Sequence, residues 1–223
     1  VRGKLNGEND YDQLAKLLSL TKESIQKTMS ASWIQDDSFV PLTTIPSDDT
    51  QLENQLLQIP GVQLNTVEVR SYPYGEITSH LTGYMQQVTA EDLEKHQGEG
   101  YTETSMIGRS GIEAAYEKQL KGTKGATISI VDENGSTKST VATQEKQDGQ
   151  DITLTIDIDL QKDLYQSFEN DQSASVAMNP TNGEVLALVS TPSFDSNDFI
   201  YGFSTEEWDD LNNDEDQPLT NRF

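Results

Sequence analysis

The stretch NPTNGEVLALVSTPSFDSNDF, Asn179–Phe199, decides the fold. Asn182-Gly183 is turn chemistry, because asparagine and glycine reach the backbone angles that a tight hairpin demands. The apolar run Val185–Val189 follows that turn, and ASVAM (174–178) precedes it, so the segment predicts the hairpin of a buried sheet. Working outward, DITLTID (151–157) alternates Ile152, Leu154 and Ile156 as a half-buried strand. IDLQKDLYQSFEN (158–170) then places Leu160, Leu164 and Phe168 on one helical stripe, with Asp157 and Asp159 where carboxylates favour a helix N-terminus. A strand–helix–hairpin unit therefore begins at a composition shift near Gly149–Asp151. After it, Ser204-Thr205-Glu206-Glu207 caps a short helix, and NNDEDQ reads as an acidic loop.

The residues before the shift are of another kind. NDYDQLAKLLSLTKESIQKTM predicts two short helices. Leu14, Leu17 and Leu18 share a face of the first, and Thr21 caps a second that carries Ile25 and Met29. DSFVPLTTIP is extended, with Pro41 and Pro46 confining it to an edge or loop, and DDTQLENQLLQIPG is a helix stopped at Pro60-Gly61. VQLNTVEVRSYPYG alternates through Val67 and Val69, which predicts a strand ending at Pro73. Thr89–Asp92 and Ser110–Glu113 have the spacing of capping boxes. The second opens a helix with Ile112, Tyr116 and Leu120 on one face, closed by Gly122. ATISIVDENGSTKSTV predicts a hairpin about Asn134-Gly135. The fold class is mixed α+β.

Composition narrows the chemistry. A formal charge of −23 over 223 residues argues against nucleic acid as a partner, since phosphates would be repelled. The absence of cysteine excludes disulfides, thiol catalysis and thiolate zinc sites, and no run of about 18 apolar residues marks a membrane span. Ser-x-x-K occurs at Ser19–Lys22 and Ser24–Lys27, but neither copy is followed by the Ser-x-Asn or Lys-Thr/Ser-Gly elements that a serine acyltransferase needs, so both read as helix surface. Asp132-Glu133-Asn134-Gly135 lacks the ligand alternation of a calcium loop and reads as a turn. His80 and His96 fall in different elements, and the carboxylate pairs Asp36-Asp37, Glu206-Glu207 and Asp209-Asp210 follow from composition. No cofactor and no metal site are expected, and no complete active site is visible in the residues.

Several stretches, in order, resemble the class B penicillin-binding proteins. RSYPYGEITSHLTGY (70–84) is similar to that family's R-x-Y-P-x-G and H-x-x-G-Y motifs, and IGRSGIEAAYEKQLKG (107–122) to its G-x-x-G-x-E…L-x-G motif. DGQDITLTIDIDLQ resembles the crossover into the transpeptidase domain, NPTNGEVLALVSTPSFDSNDF that domain's first hairpin, and PLTNRF the stretch just before its nucleophile. WIQDDSFVPL (33–42) resembles the low-affinity, methicillin-resistance type of Gram-positive bacteria. The opening VRGKLNGEN departs from the family's N-terminal R-G-x-x-x-D-R-N-G motif, whose second half is absent.

The resemblance implies an elongated mixed non-catalytic pedestal (dimerisation-type) lobe over residues 1–149. The first strand–helix–hairpin elements of a transpeptidase domain would follow over 150–223, with the chain ending before the Ser-x-x-K serine. It implies a membrane-anchored, extracytoplasmic parent that cross-links peptidoglycan as a serine D,D-transpeptidase. Peptidoglycan stem peptides and β-lactams would engage its catalytic part, and cell-wall fragments or division and elongation proteins its lobe. This stretch itself would then hold no catalytic residue. The matched motif residues Arg70, Tyr72, Pro73, Gly75, His80, Gly83, Gly108, Gly111 and Glu113 would be structural or interdomain. The arginine fork would hold a carboxylate or carbonyl, Pro73 and Gly75 would fix a sharp strand exit, Gly108 and Gly111 would admit close backbone approach, and Glu113 would cap its helix. Arg70 and Glu113 are expected in one network between lobe and transpeptidase base. Two other readings stand beside it: a non-enzymatic scaffold for cell-wall or divisome partners, and a metal-dependent enzyme using the carboxylates and histidines.

Overall fold

The computed structural model describes residues 5, 7–30, 34, 35, 38–133 and 136–223. Most of the opening VRGKLN, together with Trp33, Asp36-Asp37 and the Asn134-Gly135 turn, lies outside the described residues. The chain is mixed α+β with small two-stranded sheets, and its contacts divide it into two compact units, Val1–Gly75 with Phe194–Thr220 and Glu76–Ser193 with Asn221–Phe223.

The first unit starts with α1 (Glu8–Leu17) and α2 (Lys22–Met29). Thr21 caps α2 by accepting from the Ser24 N–H (3.1 Å), which satisfies one of the donors that every helix start leaves unpaired. After an extended segment comes α3 (Thr50–Leu57), capped by Asp49 through the Leu52 N–H (2.9 Å). Leu14, Ile25, Met29, Ile34, Val40, Leu56 and Ile59 bury together as the core, drawing one or two side chains from each element. Full burial of each is worth about 1.5–3 kcal/mol. The heptad-like spacing of Leu14 against Leu17 and Leu18, and of Ile25 against Met29, is what turns these faces inward.

The strand predicted over 62–73 does not form. Residues 62–72 belong to no helix or strand, and Val67 and Val69 stand 59% and 45% exposed. Alternation selects a strand only where a sheet edge is available to pair with it, and among the described residues none pairs with this segment.

The second unit is built from short elements. A 3-10 turn at Gly75–Ile77 leads to α4 (Ser79–Thr82), then β1 (Met85–Gln87), α5 (Ala90–Lys95) and β2 (Met106–Gly108), with β1 and β2 antiparallel and Gln86 opposite Ile107. The helix predicted from Ser110 to Leu120 is two: α6 (Gly111–Ala115) and α7 (Glu117–Leu120), broken at Tyr116. Next, β3 (Ala126–Val131) and β4 (Thr137–Gln144) make the expected hairpin.

The segment 151–157 forms no ladder, contrary to the strand expected there. Asp157 N–H donates to the Leu186 carbonyl (2.8 Å) and the Thr155 hydroxyl to that of Val185 (2.6 Å). Helix α8 (Ile158–Phe168) is capped by Asp157, whose carboxylate accepts from the Asp159 and Leu160 N–H groups. The final hairpin pairs β5 (Ser173–Met178) with β6 (Val185–Thr191), and β6 is the best-buried strand of the chain, with Ala187, Val189 and Thr191 essentially inaccessible.

The chain then returns to the first unit with α9 (Asp198–Tyr201) and α10 (Thr205–Asn213). The capping box at the start of α10 is complete: Glu207 N–H donates to the Ser204 hydroxyl (3.1 Å) and Ser204 N–H to the Glu207 carboxylate (2.8 Å). Phe194, Phe199, Phe203 and Trp208 pack edge to face beneath it.

Candidate functional site

Two clusters gather the motif residues, one in each unit. In the first unit, Tyr72 is buried and its backbone is gripped at both ends by one side chain: Tyr72 N–H donates to Asn197 Oδ1 and Asn197 Nδ2 donates to Tyr72 O, each at 2.9 Å. Asn197 is itself set by the Asp195 carboxylate, which accepts from its side chain and its N–H at 2.8 Å. Gly75 N–H closes a turn onto Tyr72 O (3.0 Å), and a Cβ at Gly75 would sit 3.1 Å from Asp195 Oδ2. Tyr72, Pro73 and Gly75 thus shape a turn clamped from residues 195–197, not the exit of a strand. Arg70 lies just upstream in the same unit.

The second cluster is a backbone crossing. Gly83 has φ +79°, and a Cβ there would fall on the Ser110 carbonyl. Gly111, at φ +56°, meets it from the other side, where a Cβ would stand 2.5 Å from Gly83 N and Leu81 O. Both the left-handed torsion and the missing Cβ are needed, so only glycine serves at either position. Gly108 faces the backbone of Glu113 with the same lack of room. Here α4 and α6 cross with main chain against main chain.

The Ser110 side chain makes no cap bond to α6, and Glu113 is buried at 3% exposure. Glu117 accepts from the Gly108 N–H at the end of β2 (2.8 Å) and from the Tyr101 hydroxyl (2.6 Å). Burial first, and that bond second, push the Tyr101 phenol far above its usual range. At Thr89 the box does form, with Thr89 N–H donating to Asp92 Oδ2 (2.7 Å) and Asp92 N–H to the Thr89 hydroxyl (3.2 Å).

Asp92 also receives the Arg109 fork, Nη1 to Oδ1 at 2.9 Å and Nη2 to Oδ2 at 2.7 Å. The Arg109 hydrogen bond, then those from Thr89, hold the Asp92 carboxyl well below the usual carboxylate range. Arg109 was not marked from the sequence, and Asp92 was marked only as the last residue of a capping box. The signal available was an arginine inside the G-R-S-G stretch, with a capping aspartate as its acceptor.

His80 is buried, with Nε2 3.3 Å from the Pro192 carbonyl, and His96 Nδ1 lies 3.1 Å from the Glu99 carboxylate. Among the described residues no group of three or more His, Asp and Glu side chains is arranged to hold a metal ion. Ser193 Oγ donates to Glu76 O (2.7 Å) and lies 2.6 Å from Ser79 Oγ, which tethers the start of α4.

Gln161 is the buried position of α8, fully inaccessible, while Leu160 of the predicted apolar stripe is 36% exposed. Its amide donates to Ile77 O (2.9 Å) and Leu188 O (2.8 Å), and its oxygen accepts from Leu188 N–H (2.8 Å), so one side chain seals the outer edge of β6 at Leu188. A groove of about 670 Å³ beside β2 is bordered by Tyr101, Ser105, Met106, Lys121 and Lys124. Its polar groups bond to one another: Lys124 to Thr102 and Ser105, Lys121 to the Glu99 carbonyl and over the Tyr101 ring.

The chain's motif residues in these two clusters shape its main chain, as in a structural domain. Its family is given by a match over residues 4–154 to the penicillin-binding protein dimerisation domain, more than half of the chain, and the chain belongs to that family. It is 44% identical to penicillin-binding protein 3 of Bacillus subtilis (strain 168), covering 100% of this chain and 33% of that protein. It is 30% identical to the peptidoglycan D,D-transpeptidase MrdA of Acinetobacter baumannii, covering 97% of this chain and 33% of that one. Among solved structures, the penicillin-binding protein PBP2 of Helicobacter pylori in its complex with MreC superposes with a TM-score of 0.71 at 28% identity, covering 96% of this chain and 41% of that one. The chain spans about a third of the length of the curated relatives it matches. No helix among the described residues is long and apolar enough to cross a membrane.

Proposed function

We propose that these residues are the structural lobe of a peptidoglycan D,D-transpeptidase, followed from about residue 150 by the opening of its transpeptidase domain. The observation that carries the reading is the identity of 44% over the whole chain to a penicillin-binding protein, joined to relatives named as D,D-transpeptidases. The end of the family match at residue 154 supports a boundary near 149/150. In this reading the motif residues Arg70, Tyr72, Pro73, Gly75, His80, Gly83, Gly108, Gly111 and Glu113 are architectural and none is catalytic. The parent protein acts on D-Ala-D-Ala stem peptides at the outer face of the membrane, and β-lactams acylate it. The finer assignment to the low-affinity, methicillin-resistance type rests on the resemblance of Trp33–Leu42 alone.

Incubating the parent protein with benzylpenicillin, and measuring intact mass, tests the reading. One adduct on the parent and none on residues 1–223 is expected. A parent that gains no adduct overturns it in favour of a scaffold. Slow acylation relative to a susceptible relative would bear on the low-affinity assignment.

A scaffolding role beside the chemistry is favoured by the structural relative solved with MreC. The lobe would then carry an elongation protein. Retention of purified MreC by residues 1–223 is expected, and no retention would remove that role.

A further inference from the structure

The chain holds three Asn-Gly pairs, Asn6-Gly7, Asn134-Gly135 and Asn182-Gly183, and only the last lies wholly within the described residues. Asn-Gly suits tight hairpin turns. It is also the pair most open to deamidation, because a glycine has no side chain to hinder its backbone nitrogen from approaching the asparagine amide. In that reaction the glycine nitrogen gives up its proton and bonds to the asparagine Cγ. The Cγ–Nδ2 bond breaks, ammonia leaves with that proton, and a cyclic imide remains. Water then opens the ring to aspartate, or to isoaspartate, whose main chain is longer by a methylene group.

In the turn between β5 and β6 the groups this reaction needs are already engaged. The Gly183 N–H donates to the Asn179 carbonyl (2.9 Å), so the attacking nitrogen is held by the bond that closes the turn. Glu184 grips the Asn182 amide at both ends: Nδ2 donates to its carboxylate (2.8 Å), and Oδ1 accepts from its N–H (3.0 Å). Closing the imide ring draws Cγ onto the Gly183 nitrogen, and so pulls the amide out of these bonds. Asn179 is fixed as well. Its N–H donates to the Glu184 carbonyl (2.8 Å), and its Oδ1 accepts from the Thr181 N–H (3.0 Å) and hydroxyl (2.6 Å). Asn182, Gly183 and Glu184 are all exposed, so burial is not what keeps water and base away.

We propose that Asn182 is a conditional modification site: the closed turn shields it, Glu184 holds the amide in place, and deamidation proceeds only when the hairpin opens locally. The rate of modification then reports that opening. The consequence falls on β6. An isoaspartate at position 182 lengthens the main chain inside the turn and removes the Gly183–Asn179 bond, which helps to set the register of β5 against the well-buried β6. The inference does not depend on transpeptidase activity.

The test incubates the parent protein in mildly alkaline buffer, folded and in guanidinium chloride, and maps isoaspartate by methyltransferase labelling and peptide mass. In guanidinium the three Asn-Gly pairs should react alike. In the folded protein Asn182 should react at least about tenfold more slowly than in guanidinium. Glu184→Ala should lose most of that protection. Glu184→Gln should keep most of it, because its side-chain oxygen can still accept from Asn182 Nδ2. Circular dichroism checks that both variants are folded. Equal rates in folded and denatured protein overturn the shield. Protection that survives Glu184→Ala intact overturns the role of Glu184, and a Glu184→Gln variant as fast as Glu184→Ala overturns the hydrogen-bond account.

Discussion

The crossing of α4 and α6 and the β3–β4 ribbon belong to the same compact unit but obey opposite rules. At the crossing, main chain touches main chain, and Gly83, Gly108 and Gly111 leave no space for even a methyl group. On the ribbon, side chains of every size stand in water. Tolerance to substitution therefore follows how many atoms a new group would meet, and regular secondary structure is a poor guide to it. The crossing is built from helices of four and five residues, too short to be stable by propensity. The ribbon has the longest strand among the described residues, and its strand residues are almost all exposed.

The largest effect is expected at Gly83. Gly83→Ala must displace the Ser110 carbonyl as well as hold a left-handed torsion, and should cost about 4 kcal/mol or more in urea denaturation. Gly98 has nearly the same torsion, φ +81°, with nothing within 4 Å. Gly98→Ala should therefore cost only the torsional share, about 1 kcal/mol. Equal losses at the two positions would mean that the torsion alone matters and that the crossing is not tight.

Next in size comes Gln161→Leu. It keeps the volume but orphans Ile77 O and both backbone groups of Leu188, in a site without access to water. A loss of about 3 kcal/mol is expected, because unpaired buried polar groups carry their full desolvation cost. A near-neutral outcome would show that water reaches the edge of β6.

These two sites also show what could be read from the chain. Capped helices were legible, since Thr21, Asp157 and Ser204 act through neighbours two or three residues away. The final hairpin was legible because turn and apolar run are adjacent. The strands expected at 62–73 and 151–157 failed because alternation reports a half-buried strand only when a partner exists, and partners are not local. The apolar stripe of α8 pointed to Leu160, whereas the deeply buried residue is a glutamine that finds three backbone groups far away in sequence. Glycines 83, 108 and 111 could be marked as special, but that Gly83 meets Gly111 depends on a crossing that no local pattern describes.

A smaller effect, confined to acid, separates Asp92 from the other carboxylates around the crossing. Its folded pKa lies below the unfolded value, so its contribution is complete above the ordinary carboxylate range and is lost as pH falls through the folded value. Asp92→Asn should lower the urea midpoint at neutral pH, and the gap between wild type and variant should narrow below about pH 4. A gap that stays constant with pH would assign the effect to packing instead of to the Arg109 pair.

The smallest effect is expected on the ribbon. Val141 is 64% exposed and is the bulged residue of β4, so Val141→Ala removes two methyl groups that are mostly in water already. A change within about 0.5 kcal/mol is expected, as for surface positions in general. The outcome bears on the comparison from its other side. The measurement should be made at both low and high protein concentration, because any contact between copies adds burial that the isolated chain lacks. A cost that stays small at both concentrations leaves the ribbon as a surface whose β4 side packs against nothing. A cost that appears only at high concentration would place Val141 inside a contact between copies.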